Sequence, residues 1–221
     1  MRWGWDRLGP VSGLAAVLGW LLGVLVIESV GNTPGDNATA ANVLQYFEDE
    51  ETSLYVGGIL FFLGSALLIW FGSSLRAAIG ERGGGDRLAS IVFGSAVATS
   101  ALSMAFVAPQ FGGAFAANES EAPLAPEAAQ ALWFAGDGFF VATEFAAASL
   151  LAATAVAILA TRLLPVWLAW LSLLIAAVLV VPPIGWAGLI FGVPLWVLIT
   201  SVLLWRRAEP AALPRETSTA L

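Results

Sequence analysis

The chain contains no cysteine and no histidine, and its nine basic residues are all arginine, so lysine is absent as well. Without cysteine there is no disulfide, no thiol nucleophile and no iron–sulfur ligation. Without histidine or lysine, a histidine-ligated haem, an H-E-x-x-H zinc site, a histidine proton relay and a retinal Schiff base are all excluded. Charge of either sign is scarce too, at 11% of 221 residues, where soluble domains carry roughly a quarter. What is abundant is apolar: 59% of the chain is hydrophobic and its mean hydropathy is +0.85. These numbers predict one all-α, polytopic transmembrane helical bundle.

Crossing about 30 Å of hydrocarbon takes about 20 apolar residues in a helix that bonds its own amides. The apolar runs predict six such spans, at 11–30, 54–75, 88–110, 131–160, 163–181 and 184–205. They make a single domain over 1–207, followed by a tail at 208–221 whose prolines, glutamates and small polar residues predict disorder. With six crossings, every arginine falls on one side of the bilayer. Arg2 and Arg7 precede the first span, Arg76, Arg82 and Arg87 separate the second from the third, Arg162 separates the fourth from the fifth, and Arg206, Arg207 and Arg215 follow the sixth. The positive-inside rule then puts both termini in the cytoplasm of a multi-pass plasma-membrane protein. Trp3, Trp5, Trp70, Trp167, Trp170 and Trp205 fall near the inner interface, Trp133 and Trp186 near the outer one, and Trp20 and Trp196 in mid-span. The first apolar run is longer than a secretory h-region and the Ala38-Thr39-Ala40 triplet lies far beyond it, so a retained signal anchor is expected.

The connections differ in character. In the first outer one, 31–53, Ala40, Val43, Leu44 and Phe47 have the spacing of a short helix lying on the membrane surface. Glu48, Asp49, Glu50 and Glu51 follow it, either as a cation-collecting mouth or as carboxylates at the positive end of the second span. The second outer connection, 111–130, reads as a loop with one helical turn after Pro126, and Pro182-Pro183 reads as a tight hairpin. Asn37 and Asn118 stand in formal glycosylation triplets. The inner glycine run at 83–85 lacks the lysine of a phosphate loop and is expected to be a spacer.

Ionisable groups at membrane depth are the first place to look for function. Glu28 lies at the outer end of the first span, Asp137 near the outer end of the fourth, and Glu144 deeper in the fourth. Seven residues separate the last two, so they are expected to share a helical face, and the three acids form a candidate polar pocket opening outward. Glu144 has no cation at its depth and is expected to be protonated or hydrogen bonded, donating to a serine, threonine or backbone carbonyl. Ser65, Thr99, Ser100, Ser103 and Thr154 read as bonds between helices. Gly19 and Gly23, and Gly188 and Gly192, make two G-x-x-x-G packing pairs whose neighbour is either another helix of the chain or a second copy. Pro194 should kink the last span. No internal repeat relates the two halves.

The stretch Arg162-Leu163-Leu164-Pro165-Val166-Trp167-Leu168-Ala169-Trp170, with paired helices on either side, resembles a bacterial six-helix integral membrane family known only as a domain of unknown function. The likeness covers about the last third and implies fold and localisation only. There Arg162 anchors the inner side, Pro165 suits a first helical turn, and Trp167 and Trp170 mark the interface. No catalytic, cofactor or metal-ligating residue is assigned, and an enzyme is not expected. The expected function is that of a non-catalytic accessory or regulatory membrane module. Its partners would be the lipid bilayer and another membrane protein or a second copy of itself, with no nucleic acid. The alternative is a small carrier or channel for a cation, proton or apolar molecule, with Glu144 as the titrating group.

Overall fold

A computed structural model describes residues 5–29, 31, 33–35 and 37–207. The readings at Arg2, Trp3, Arg215 and the 208–221 tail lie outside those residues, as do the side chains of Trp5 and Arg7. Among the described residues the chain is helical with no strand: α1 (Trp5–Glu28), α2 (Ala40–Asp49), α3 (Glu51–Glu81), α4 (Asp86–Asn118), α5 (Pro126–Thr161), α6 (Val166–Leu179), α7 (Pro182–Ala187) and α8 (Val193–Arg207). One π turn, Gly188–Gly192, joins α7 to α8. Five helices are long and apolar enough to cross a membrane: Gly9–Glu28, α3, α4, α5 and the continuous Pro182–Arg207. The remaining apolar run, expected as the fifth span at 163–181, forms the 14-residue α6, about 21 Å long.

The helices outlast the spans read from hydropathy. α4 continues through Pro109 to Asn118 and α5 starts at Pro126, so the expected 111–130 loop shrinks to 119–125. The extension is held by packing. α2 lies across it with Val43, Tyr46 and Phe47 buried against Ala114, Ala129 and Trp133, so its apolar stripe faces the bundle rather than lipid. Gly113 admits the Phe47 ring, and the Asn118 amide donates to Phe47 O at 2.9 Å. The Thr39 hydroxyl caps α2 by accepting from Asn42 N–H. Of the acidic run, Glu50 is the joint between α2 and α3 and Glu51 sits in the first turn of α3, where the helix dipole favours it.

The turns also depart from expectation, for local reasons. Gly83 and Gly85 adopt φ of +73° and +76°, and Gly84 N–H bonds Ile79 O, so the glycine run is a defined turn and not a loose spacer. Pro182 and Pro183 open α7, where a missing N–H is harmless, and Val180 and Val181 make the turn. Pro165 is the N-cap of α6, one residue outside its first turn.

Lipid-facing positions are apolar: Leu25 and Leu174 are 63% exposed and Phe191 65%. Without a hydrophobic force between helices, close contact does the holding. A methyl group added at Gly19 would lie 2.8 Å from Gly64 Cα, and one at Gly23 would lie 2.8 Å from Gly57 O. The first G-x-x-x-G pair therefore packs within the chain, α1 on α3. Gly188 and Gly192 accept Leu179 and Ile175 of α6 in the same way. The two mid-span indoles each donate to a buried serine, Trp20 to Ser65 at 2.9 Å and Trp196 to Ser172 at 2.7 Å. Ser100 donates to Ser65 O across α3 and α4, whereas Thr99 and Thr154 bond back within their own helices.

Gly64→Val should lower the unfolding free energy by about 2–3 kcal/mol or more, because backbone, not a flexible side chain, fills the space. Gly112→Ala, with open space at its Cβ, should be neutral or stabilising by up to about 1 kcal/mol. Thermal melts of the two variants in one detergent check the contrast.

Candidate functional site

The ends of the helices sort by charge. Gly9, Arg82, Leu163 and Arg207 line one recess, so the start of α1, the α3–α4 turn, the α5–α6 link and the end of α8 meet at one end of the bundle. A second cavity, of about 270 Å³, lies among α1, α3, α4, α5 and the last crossing. Its walls are aromatic. Trp20 of α1, Phe61 of α3, Phe106 of α4 and Phe140 of α5 follow one another with ring centroids 6.4, 6.2 and 5.2 Å apart. Trp133 of α5 completes that side and meets Tyr46 of α2 edge-on at 5.7 Å. The fourth wall, Leu189, Ile190, Val193 and Pro194, is the π turn and its exit.

The irregular wall has a local cause. Pro194 has no N–H to return to the preceding turn. The helix takes up the discontinuity with one wider turn, in which Val193 N–H bonds Gly188 O five residues back. The expected disturbance at Pro194 is thus a π turn, and it borders the cavity.

Two of the three expected acids share this space. Glu28 and Asp137 both line the cavity, and Thr33 Oγ1 donates to Glu28 Oε2 at 3.3 Å. Glu144 does not line it. Its carboxyl is 3% exposed and turns to the last crossing, where a methyl group at Gly185 would lie 2.7 Å from Oε2. No serine or threonine donates to it among the described hydrogen bonds, and the next residues on that helix, Ala147 and Ala148, are buried too. Counting from Thr161 at 1.5 Å per residue, Glu144 lies about 25 Å along α5 and Asp137 about 36 Å. A 30 Å hydrocarbon layer starting at Thr161 would therefore cover Glu144 near its far face and leave Asp137 beyond it.

The remaining polar lining was not recognised as a group from the sequence. Thr99 and Thr143 spend their protons on Ser95 O and Phe139 O, which leaves their oxygens as acceptors. Ser103 and Gln110 are each 6% exposed, and neither makes a side-chain hydrogen bond to another described residue. Gln110 stands at the expected end of the third span. The continuation of α4 past it is what buries it. Among the described residues, no three acidic side chains come together as a metal site.

Next to the cavity, Tyr46 of α2 packs edge-on against the lining residue Trp133. Burial pushes its phenol up to about 12, the neighbouring Thr33 hydroxyl opposes the shift, and the charges of Glu28 and Glu50 add to it. The chemistry available is thus two carboxylates at the mouth, a row of ring faces, and a few unspent hydrogen-bonding groups below. Comparison with known proteins contributes no relative: no family model matches the chain, and no curated protein or solved structure does.

Two predictions follow from these contacts. Gly185→Ala should destabilise the protein by roughly 1–3 kcal/mol, and by clearly less in a Glu144→Ala background. A double-mutant cycle on unfolding free energies reads the coupling. Tyr46 keeps its proton in the folded state up to about pH 12, whereas the unfolded chain releases it near pH 10. The associated stability is therefore complete below pH 10 and drains away as pH rises from 10 to 12, by an amount on the order of 2 kcal/mol. Tyr46→Phe should lose that part of the alkaline slope in pH-dependent melts.

Proposed function

We propose that the chain is a non-catalytic membrane module that binds a small organic cation in its aromatic-walled cavity. One observation carries the reading: Glu28 and Asp137 stand at the mouth of a cavity whose wall is a continuous row of aromatic rings. Carboxylates attract a positive charge, and ring faces hold an alkylammonium better than a hydrated metal ion, which wants oxygen on several sides. A neutral apolar molecule would gain nothing from the acids. The volume, about 270 Å³, is near the lower limit of ligand pockets and fits a small solute.

In this reading α6, extended by Leu163, Leu164, Val180 and Val181, is the fifth of six crossings, and the arginine-bearing end faces the cytoplasm of a plasma membrane. The cavity then opens outward. Below it, the Trp20–Ser65–Ser100 hydrogen bonds lie across the bundle, so the arrangement favours capture from outside over an open channel. Whether the captured cation is presented to a partner or carried across, the first step is the same.

Titration of the purified protein with tetraethylammonium, followed through tryptophan fluorescence, should give a saturable change that Trp20→Phe and Trp133→Phe diminish. Glu28→Gln with Asp137→Asn should weaken the affinity roughly tenfold or more, about the loss of one good ionic or cation–π contact. No saturable change, or equal affinity in the double variant, would sink the proposal.

A further inference from the structure

The opposite end of the bundle holds a second and larger recess, of about 700 Å³, bounded by the start of α1, the end of α3, and the end of α8. Two guanidinium groups from distant parts of the chain face it: Arg82 from the α3–α4 turn and Arg207 from the last turn of α8. They lie near enough for the charge of one to act on the other, and neither has an ion-pair partner within 4 Å among the described residues. A third arginine, Arg76, stands 5.7 Å over the ring of Phe93, which itself lines the recess. One carboxylate, Glu81, also borders it. Three positive charges against one negative leave the rim cationic.

The depth of the recess has the opposite character. Ile69, Trp70, Phe93, Leu163 and Leu204 supply an apolar floor, while Ser73 and Ser74 add hydroxyls just inside the arginines. Ser74 gives its proton to Trp70 O at 3.2 Å, which leaves its oxygen as an acceptor, and Ser73 is exposed. Exposed Trp70 belongs to the level at which indoles sit in a membrane interface. An anion placed between two guanidinium groups gains charge-assisted hydrogen bonds from both. The chemistry asked for is a phosphate oxygen at the rim joined to an acyl chain on the floor.

We infer that this recess is a binding site for one anionic phospholipid, its phosphate held between Arg82 and Arg207 and its chain lying against Trp70 and Leu204. Basic pockets between membrane helices recognise headgroups in this way. A free phosphate shares the headgroup chemistry but not the chain, so the two sources can be told apart.

The full chain, purified into mixed phosphatidylcholine and phosphatidylglycerol micelles, should retain phosphatidylglycerol preferentially when intact complexes are weighed by native mass spectrometry. Arg82→Gln with Arg207→Gln should reduce that retention roughly tenfold or more, since each basic residue near an anionic surface contributes about a fivefold preference. Arg87→Gln with Arg162→Gln removes the same charge from the same end without touching the recess, and should leave retention unchanged. The inference fails if this second pair loses as much lipid as the first, which would mean diffuse surface attraction. It also fails if inorganic phosphate alone displaces the lipid, which would mean a soluble anion site.

Discussion

Backbone contact between α1 and α3 is the constraint from which the cavity end of the molecule takes its shape. In lipid there is no hydrophobic gain when two apolar helices meet, because the lipid tails they leave are equally apolar. What remains is van der Waals attraction, which falls steeply with distance. Gly19 and Gly23 against Gly64 and Gly57 let the two backbones touch along that seam. The close approach places Trp20, next along α1, within hydrogen-bond reach of Ser65 and beside Phe61. The first two rings of the aromatic wall are thus positioned by the same close approach.

The same economy of side chains works at the last crossing. Gly188 and Gly192 let α6 lie close, and Gly185 makes room for the Glu144 carboxyl. The buried acid is thereby assigned to packing between α5 and α7, while the acids nearer the surface, Glu28 and Asp137, are left to the cavity. Residues seven apart on a straight helix share a face, as Asp137 and Glu144 do. They part company because the last crossing begins at Pro182, well below the start of α5, and covers only the deeper of the two.

Fold class was legible because it rests on composition and long apolar runs, which survive any error of a few residues. The glycine pairs were legible for the same reason, being patterns and not distances. Helix ends were not. α4 runs eight residues past Gln110 because α2 packs on the extension, and nothing local in 111–118 announces a partner that lies about 70 residues earlier in the chain. The α2 stripe itself was visible, but a stripe does not say whether protein or lipid covers it. For the cavity, the acids could be named from sequence and Ser103 only as a bond between helices, while Gln110 and the ring row could not be placed, since only the crossing of four helices brings them together. The π turn was foreshadowed by Pro194, though a proline alone does not distinguish a bend from a widened turn.

That widened turn also acts as a phase shifter. Each residue advances an α-helix by about 100°, so one surplus residue between Gly188 and Gly192 rotates everything after it relative to everything before. α7 can therefore show Gly185 to α5 while α8, in a different azimuth, shows Trp196 to Ser172 and to the edge of Phe71. Two seams that a regular helix would force into a single rotational setting are each met on their own terms.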